Sequence, residues 1–234
     1  MKSINNILAV IPARAGSKGI PSKNIAQLHG HPLIHYTIRE ALKVTAFQRV
    51  FVSTDSLKIA KVCASESLEI PFLRPESLGG DHVRTIDVVL DLLGRLEKEY
   101  NEIYDLVCLL QPTSPLREAR DIQACLDLME EEGPDSVVSL TMIDEPHPAK
   151  MKKIVDGVIR PYTDGTNSSI PRQELPKVYE LNGAVYLTRT QILREQHSFF
   201  GEKSIPYLMP MERSVNINHP LDMRMASIIL RESS

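Results

Sequence analysis

Arg14, Lys18 and Lys23 lie close together in the chain, interleaved with Gly16 and Gly19, directly after the apolar run 7–11. Glycines let a backbone approach an oxyanion closely, and clustered cations neutralise it. Three cations suit a triphosphate, which carries about four negative charges near neutrality. The spacing is neither GxxxxGK[ST] nor GxGxxG, so neither common phosphate loop applies. Ile20-Pro21 blocks a helix from starting straight after the glycines, which predicts a long extended loop. A solvated basic surface loop would show the same charge density, and it is the loop's position behind a strand that favours phosphate binding. The seven histidines are scattered, and no Ser-His-Asp or Cys-His set stands out. A covalent protein nucleophile is therefore not expected.

The elements that must carry this loop follow from hydrophobic patterning. Continuous apolar runs at 7–11, 50–52, 106–110 and 136–140 suit strands buried on both faces of a parallel sheet. Helical spacing of apolar residues recurs at Leu33, Ile34, Ile38, Ala41 and Leu42, at Ile86, Val89, Leu90, Leu93 and Leu96, and at Ile122, Leu126 and Met129. Leu221, Met225, Ile228 and Ile229 form a last amphipathic helix, with Asn218 as its N-cap and Pro220 in its first turn. This alternation predicts an α/β, doubly wound, mostly parallel sheet with its ligand crevice beyond the carboxyl ends of the strands. Residues 144–176 break the pattern. They hold five prolines, with Asp156-Gly157 between two β-like runs, which reads as a hairpin inserted into the main domain of residues 1–143 and 177–234. Such an insertion serves as a lid, a dimerisation arm or a plain solvent loop. The run 183–187 returns as a strand.

Composition narrows the function. Lys+Arg numbers 27 against 30 Asp+Glu, a formal charge of −3, which argues against a general nucleic-acid binder. No apolar run approaches the roughly 20 residues that span a bilayer. The N-terminus lacks the apolar stretch of a secretory leader. Cys63, Cys108 and Cys125 form no CxxC and are expected as reduced thiols in a cytoplasmic protein.

Six segments, in order, resemble the acylneuraminate cytidylyltransferases, the CMP-sialic acid or nonulosonic acid synthetases. They are IPARAGSKGIPSKN at 11–24, VSTD at 52–55, LRP at 73–75, LQPTSPLR at 110–117, PRQELP at 171–176 and NGAVY at 182–186. The resemblance implies a Rossmann-like nucleotidyltransferase that moves CMP from CTP to the anomeric hydroxyl of a nonulosonic acid, releasing pyrophosphate. It implies triphosphate contacts from Arg14, Lys18 and Lys23, which carry the catalysis. Ala13, Gly16 and Asn24 join Arg14 and Lys18 in the nucleotide site, and Arg74 and Thr85 stand by the cytosine and ribose. On the sugar side it implies Gln111, Lys150, Asn182, Tyr186 and Arg172. Arg172 would pair with the sugar carboxylate, reaching across from the other subunit of a homodimer. Tyr186 reads equally well as a core tyrosine. The family's cofactor is Mg2+, bound by an Asp-x-Asp where this chain has Asn216 and Asn218. Amide oxygens bring no negative charge to a hard cation. Three consequences stay open: a metal held by CTP and water, help from Asp222, or a slow or inactive protein. A Kdo-type synthetase and a weakly active nucleotide-binding protein are the alternatives. A glycosyltransferase is disfavoured, since QPTS at 111–114 stands where its Asp-x-Asp would be.

Overall fold

The computed structural model describes residues 6–68, 70–163 and 170–232, with the side chain of Arg172 excepted. Among the described residues ten strands form: β1 (Ile7–Pro12), β2 (Gln27–Leu28), β3 (His31–Pro32), β4 (Arg49–Ser53), β5 (Leu106–Leu109), β6 (Ser136–Ile143), β7 (Lys152–Val155), β8 (Val158–Pro161), β9 (Val178–Arg189) and β10 (Ser204–Leu208). The helices are α1 (Leu33–Leu42), α2 (Leu57–Ala64), α3 (Thr85–Tyr100), α4 (Ala119–Glu132), α5 (Thr190–Gln196) and α6 (Pro220–Glu232).

Six strands make one sheet in the order β10-β6-β9-β5-β1-β4. β1 pairs in parallel with β4 and β5, and β10 in parallel with β6. β9 runs antiparallel to both its neighbours. Parallel neighbours need a crossover, and the crossovers cover both faces. Ala9 and Ile11 of β1 point into a core built with Ile34 and Ile38 of α1, Cys63 of α2 and Ile122 and Cys125 of α4. Leu8 and Val10 point the other way, onto Val89, Leu92 and Leu96 of α3 and Leu193 of α5. That alternation on a single strand explains why β1 reads as an unbroken apolar run. The chain leaves β1 for β4 on one side and later crosses to β5 on the other. The topological switch point, and so the crevice, lies where β1 and β5 end.

The expected strands and helices form. Beyond them, α2, α5 and β10 appear, none of which the patterning predicts. The strand read at 183–187 is the middle of the longer β9. Asp156-Gly157 does turn a hairpin, β7–β8, with φ of 52° and 75° at its two residues. Asn218 is not the α6 N-cap. The helix begins at Pro220, and Asp222 reaches back, its Oδ2 accepting from the backbone N–H groups of Asn218 and His219 at 2.7 Å each. A carboxylate at a helix start satisfies amides that the helix itself leaves open.

Two buried polar side chains tie the layers together. Asp121, fully buried in the first turn of α4, accepts from the Glu118 N–H, from Tyr207 of β10 at 3.0 Å and from two nitrogens of Arg213 at 3.1 and 2.6 Å. Arg117 is 2 % exposed. Its Nη1 donates to the carbonyls of Gln111 at 3.3 Å and Ala184 at 2.9 Å. Burial lowers its pKa to about 10, so the guanidinium keeps its charge at neutral pH. Removing the buried Asp121 carboxylate leaves the partly buried Arg213 guanidinium uncompensated and Tyr207 without its acceptor. Asp121→Ala should therefore destabilise the fold by about 3 kcal/mol, read as a clear fall in the midpoint of chemical denaturation, whereas Asp127→Ala on the exposed face of α4 should leave it almost unchanged.

Candidate active site

A cleft of about 640 Å³ opens at the carboxyl ends of β1 and β5. Its walls include Arg14, Gly16, Lys18, Lys23 and Asn24 from the first loop, Arg74, Asp81 and Thr85 from the approach to α3, Gln111 from the end of β5, and Asn218. Residues far apart in sequence thus meet at one mouth.

The first loop is held by hydrogen bonds. Asn24, buried in the turn Lys23–Ile25, donates through Nδ2 to the Arg14 carbonyl at 3.0 Å. The Ser17 hydroxyl donates to the Ile20 carbonyl and accepts from the Lys23 N–H. Asp55, just past β4, accepts from the Ala15 N–H at 2.8 Å. Lys23 Nζ donates to the Ile217 carbonyl at 2.8 Å, and the Ile217 N–H donates to the Thr113 carbonyl at 2.7 Å. The segment before α6 therefore links the first loop to the loop after β5. A Cβ on Gly19 would collide with the backbone oxygen of Asn218, so this close approach needs glycine.

The electrostatics are cationic around a carboxylate. Partial burial, and next the neighbouring Arg14, hold the Lys23 ammonium below its ordinary pKa, while Asp222 opposes them. Arg14 and Lys18 both pair with Asp81. Arg74 is 8 % exposed. Its Nη2 lies 3.5 Å from Asp55 Oδ1, and its buried Nε has no partner. Burial is the main cause of its lowered pKa. A desolvated guanidinium with an unused donor on a cleft wall is equipped to meet an acceptor such as a carbonyl oxygen.

Of the nucleotide residues expected from sequence, Arg14, Gly16, Lys18, Lys23, Asn24, Arg74 and Thr85 line this cleft together. Ala13 lies beneath it instead. It is fully buried, and its N–H donates to the Ser53 carbonyl at 2.9 Å. Gln111 is on the cleft wall, with Gly183 behind it. A Cβ on Gly183 would sit 2.6 Å from Gln111 Oε1 and 2.9 Å from Asn216 Nδ2.

Three of the residues expected on the sugar side do not line this cleft. The Asn182 side chain is 2 % exposed and fully used. Its Oδ1 accepts from the Ser139 hydroxyl and the Ala184 N–H, and its Nδ2 donates to Ser214 Oγ and Met209 Sδ. That network fills the irregular pairing between β6 and β9, so Asn182 holds strands in place. Tyr186 packs in the core against α3-side residues and Phe199, at 5.9 Å between ring centroids. Lys150 pairs with Glu145 at 3.1 Å, outside the cleft. The Arg172 side chain lies outside the described residues.

Asn216 and Asn218 do not fit a resident magnesium ion. Both are neutral. Asn216 Oδ1 is buried without a partner, but the carboxylates of Asp222, which meets the Asn218 N–H, and of Asp81, on the same cleft, are engaged, the first with backbone amides and the second with cations. Among the described residues no three His, Cys, Asp or Glu side chains come together to hold a metal. Hard divalent cations favour charged oxygens.

A family model described as cytidylyltransferase matches residues 8–209. The chain belongs to the cytidylyltransferase family. It is 37% identical over 218 residues to the CMP-N,N'-diacetyllegionaminic acid synthase of Legionella pneumophila, with 92% of each chain covered. It is 32% identical to the N-acylneuraminate cytidylyltransferase of Streptococcus agalactiae, over 90% of this chain but 50% of that protein, so it spans about half the length of that relative. Among solved structures, a CMP:2-keto-3-deoxy-manno-octonic acid synthetase complexed with CTP superposes with a TM-score of 0.72 at 16% identity, covering 98% of this chain and 100% of that one. At that identity the likeness speaks for the fold.

Sequence reasoning overlooked Asp55, Asp81 and the backbone of Ile217 as parts of the site. Asp55 closes the VSTD segment and had that signal. A backbone carbonyl has none. Gly19→Ala should push the first loop off the segment before α6 and weaken binding of CTP more than tenfold, by titration calorimetry, with little change in melting temperature.

Proposed function

We propose that this protein transfers CMP from CTP to the anomeric hydroxyl of a nonulosonic acid and releases pyrophosphate. The convergence of Arg14, Lys18, Lys23 and Arg74 on one cleft at the switch point carries the reading. The names of the family relatives agree with it. In the reaction the sugar oxygen attacks the α-phosphorus, the bond from that phosphorus to the bridging oxygen of the β-phosphate breaks, and the hydroxyl proton passes to solvent. The chemistry is positioning and charge stabilisation. Arg14 and Lys18 meet the charge that grows on the phosphates as the bond breaks. Lys23 is fixed by the Ile217 carbonyl and so presents its charge without first having to be ordered. Arg74 offers its unused Nε–H toward a base carbonyl, and Thr85, at the start of α3, stands by the ribose. Gln111 faces the incoming sugar. Among the described residues no charged seat for magnesium forms, so the steps are carried by the cations of the chain itself.

Residues 144–176 form an arm for a second copy of the chain. In support, the β7–β8 hairpin leaves Ile154 77% and Ile159 71% exposed, with Tyr162 beside them at 62%. Apolar side chains so exposed on a two-stranded hairpin call for a partner surface. In a homodimer the arm would carry Arg172 and Lys150 to the other subunit's sugar carboxylate. The buried, unpaired thiols of Cys63, Cys108 and Cys125 suit a reducing cytoplasm. Among the described residues no helix is long and apolar enough to cross a membrane.

Incubation of CTP with a panel of nonulosonic acids and with Kdo, scored by mass spectrometry, tests the function. A CMP-nonulosonate and stoichiometric pyrophosphate are expected. Product from Kdo alone would support the octulosonate reading. Product from none would support a nucleotide-binding protein, which the neutral pair Asn216 and Asn218 favours. Lys18→Ala should lower kcat by about 100-fold, and Arg172→Ala should raise the KM of the sugar with the affinity for CTP nearly intact.

A further inference from the structure

Asp81 stands among the cations of the first loop. It sits between the turn Glu76–Leu78 and α3. Its two oxygens divide the cations between them, Oδ1 to Arg14 and Oδ2 to Lys18 Nζ at 3.0 Å. Among the described residues, Arg14 and Lys18 form no other ion pair.

This arrangement is not needed to hold either loop. The first loop is anchored through the Ala15 N–H to Asp55 and through Asn24 to the Arg14 carbonyl. The Asp81 loop is seated on the same Asp55, because a Cβ on Gly79 would overlap that carboxylate. With the backbone so fixed, the Asp81 pairs neutralise charge that the cleft otherwise presents to a ligand. They are also easy to exchange. The Asp81 side chain is 35% exposed and that of Lys18 77%, and exposed pairs hold weakly. A phosphate group brings more charge and more oxygens than one carboxylate.

We propose that Asp81 is the resident counter-ion of the phosphate cradle: it occupies Arg14 and Lys18 while the cleft is empty, gives way to the triphosphate, and re-pairs with both cations as pyrophosphate leaves. It thereby sets the affinity for nucleotide and product alike. The proposal rests on reading the cleft as a CTP site. Lys18 first, then Arg14, hold the Asp81 carboxyl below the usual range, so the competitor stays ionised at neutral pH.

The test is calorimetric titration of CTP and of inorganic pyrophosphate, with EDTA present, into wild type, Asp81→Asn, Asp81→Ala and Asp81→Glu, each checked for an unchanged melting temperature. The two neutral variants should bind both ligands about three- to tenfold more tightly, as expected when two exposed pairs no longer compete. Asp81→Glu, which keeps the charge, should bind like wild type. Equal or weaker binding by the neutral variants would overturn the proposal and mark Asp81 as a group that works with the nucleotide. A gain by Asp81→Glu would also overturn it, since fit and not charge would then be the cause. Wild type that bound pyrophosphate but not CTP would defeat the cytidylyl reading, while the pyrophosphate titrations still decided the role of Asp81. Wild type that bound neither would defeat both.

Discussion

A loop that gathers three cations cannot be held by packing alone. Its charges need oxygens nearby, and its backbone has no ladder to join. Here the oxygens come from four directions: the Asp55 carboxylate takes the Ala15 N–H, the Ile217 carbonyl takes Lys23, Asp81 takes Arg14 and Lys18, and the loop's own Arg14 carbonyl takes Asn24. Three of these lie at the ends of other elements, after β4, before α3 and before α6. The cradle is therefore a property of the assembled sheet, and the sheet's switch point is where such loop ends come together. What the fold does for the chemistry is to bring oxygen acceptors to a cationic segment while leaving its cations within reach of a ligand.

The same dependence explains how far the sequence could be read. Strands buried on both faces announce themselves as apolar runs, and helices with one buried stripe announce themselves by spacing, so β1, β5, α3 and α4 were legible. The short α2 buries only Ile59 and Cys63, too few to show a period. β10 alternates poorly and contains Pro206. The antiparallel sense of β9 leaves no mark on its composition, because a strand flanked on both sides is apolar in either direction. In the site, charged and glycine-rich motifs located the cleft's cations. Asn182 and Tyr186 carried the same family signal, and their side chains are buried, one in the β6–β9 network and one in the core, a distinction that a motif does not record.

Buried polar groups carry much of the specificity of this arrangement. Arg117 bridges the carbonyls of Gln111 and Ala184, which belong to the loop after β5 and to β9. The Asn182 network fills the pairing defect beside it, where Gly183 adopts φ of 72°. Gln111 is thereby fixed from behind by a guanidinium and hemmed by a residue that tolerates no Cβ. A charge buried without an acid costs stability compared with a hydrophobic filling. Its presence at this junction is understood once the carbonyls it caps are seen to set the wall of the cleft.

The neutral pair before α6 fits the same logic. Asn218 touches Gly19 through its backbone oxygen, and Ile217 between the two amides accepts from Lys23. Carboxylates at 216 and 218 would bring two negative charges to the segment that already holds this lysine by a neutral carbonyl. The Asn216 side chain itself lies beside Gly183 and Gln111, so a charge there would stand against the wall that carries Gln111. With amides there, Lys23 stays oriented but uncompensated by a direct ion pair among the described residues. The cleft thus holds one cation on a neutral carbonyl and two paired with Asp81, an asymmetry that follows from which oxygens are charged and which are not.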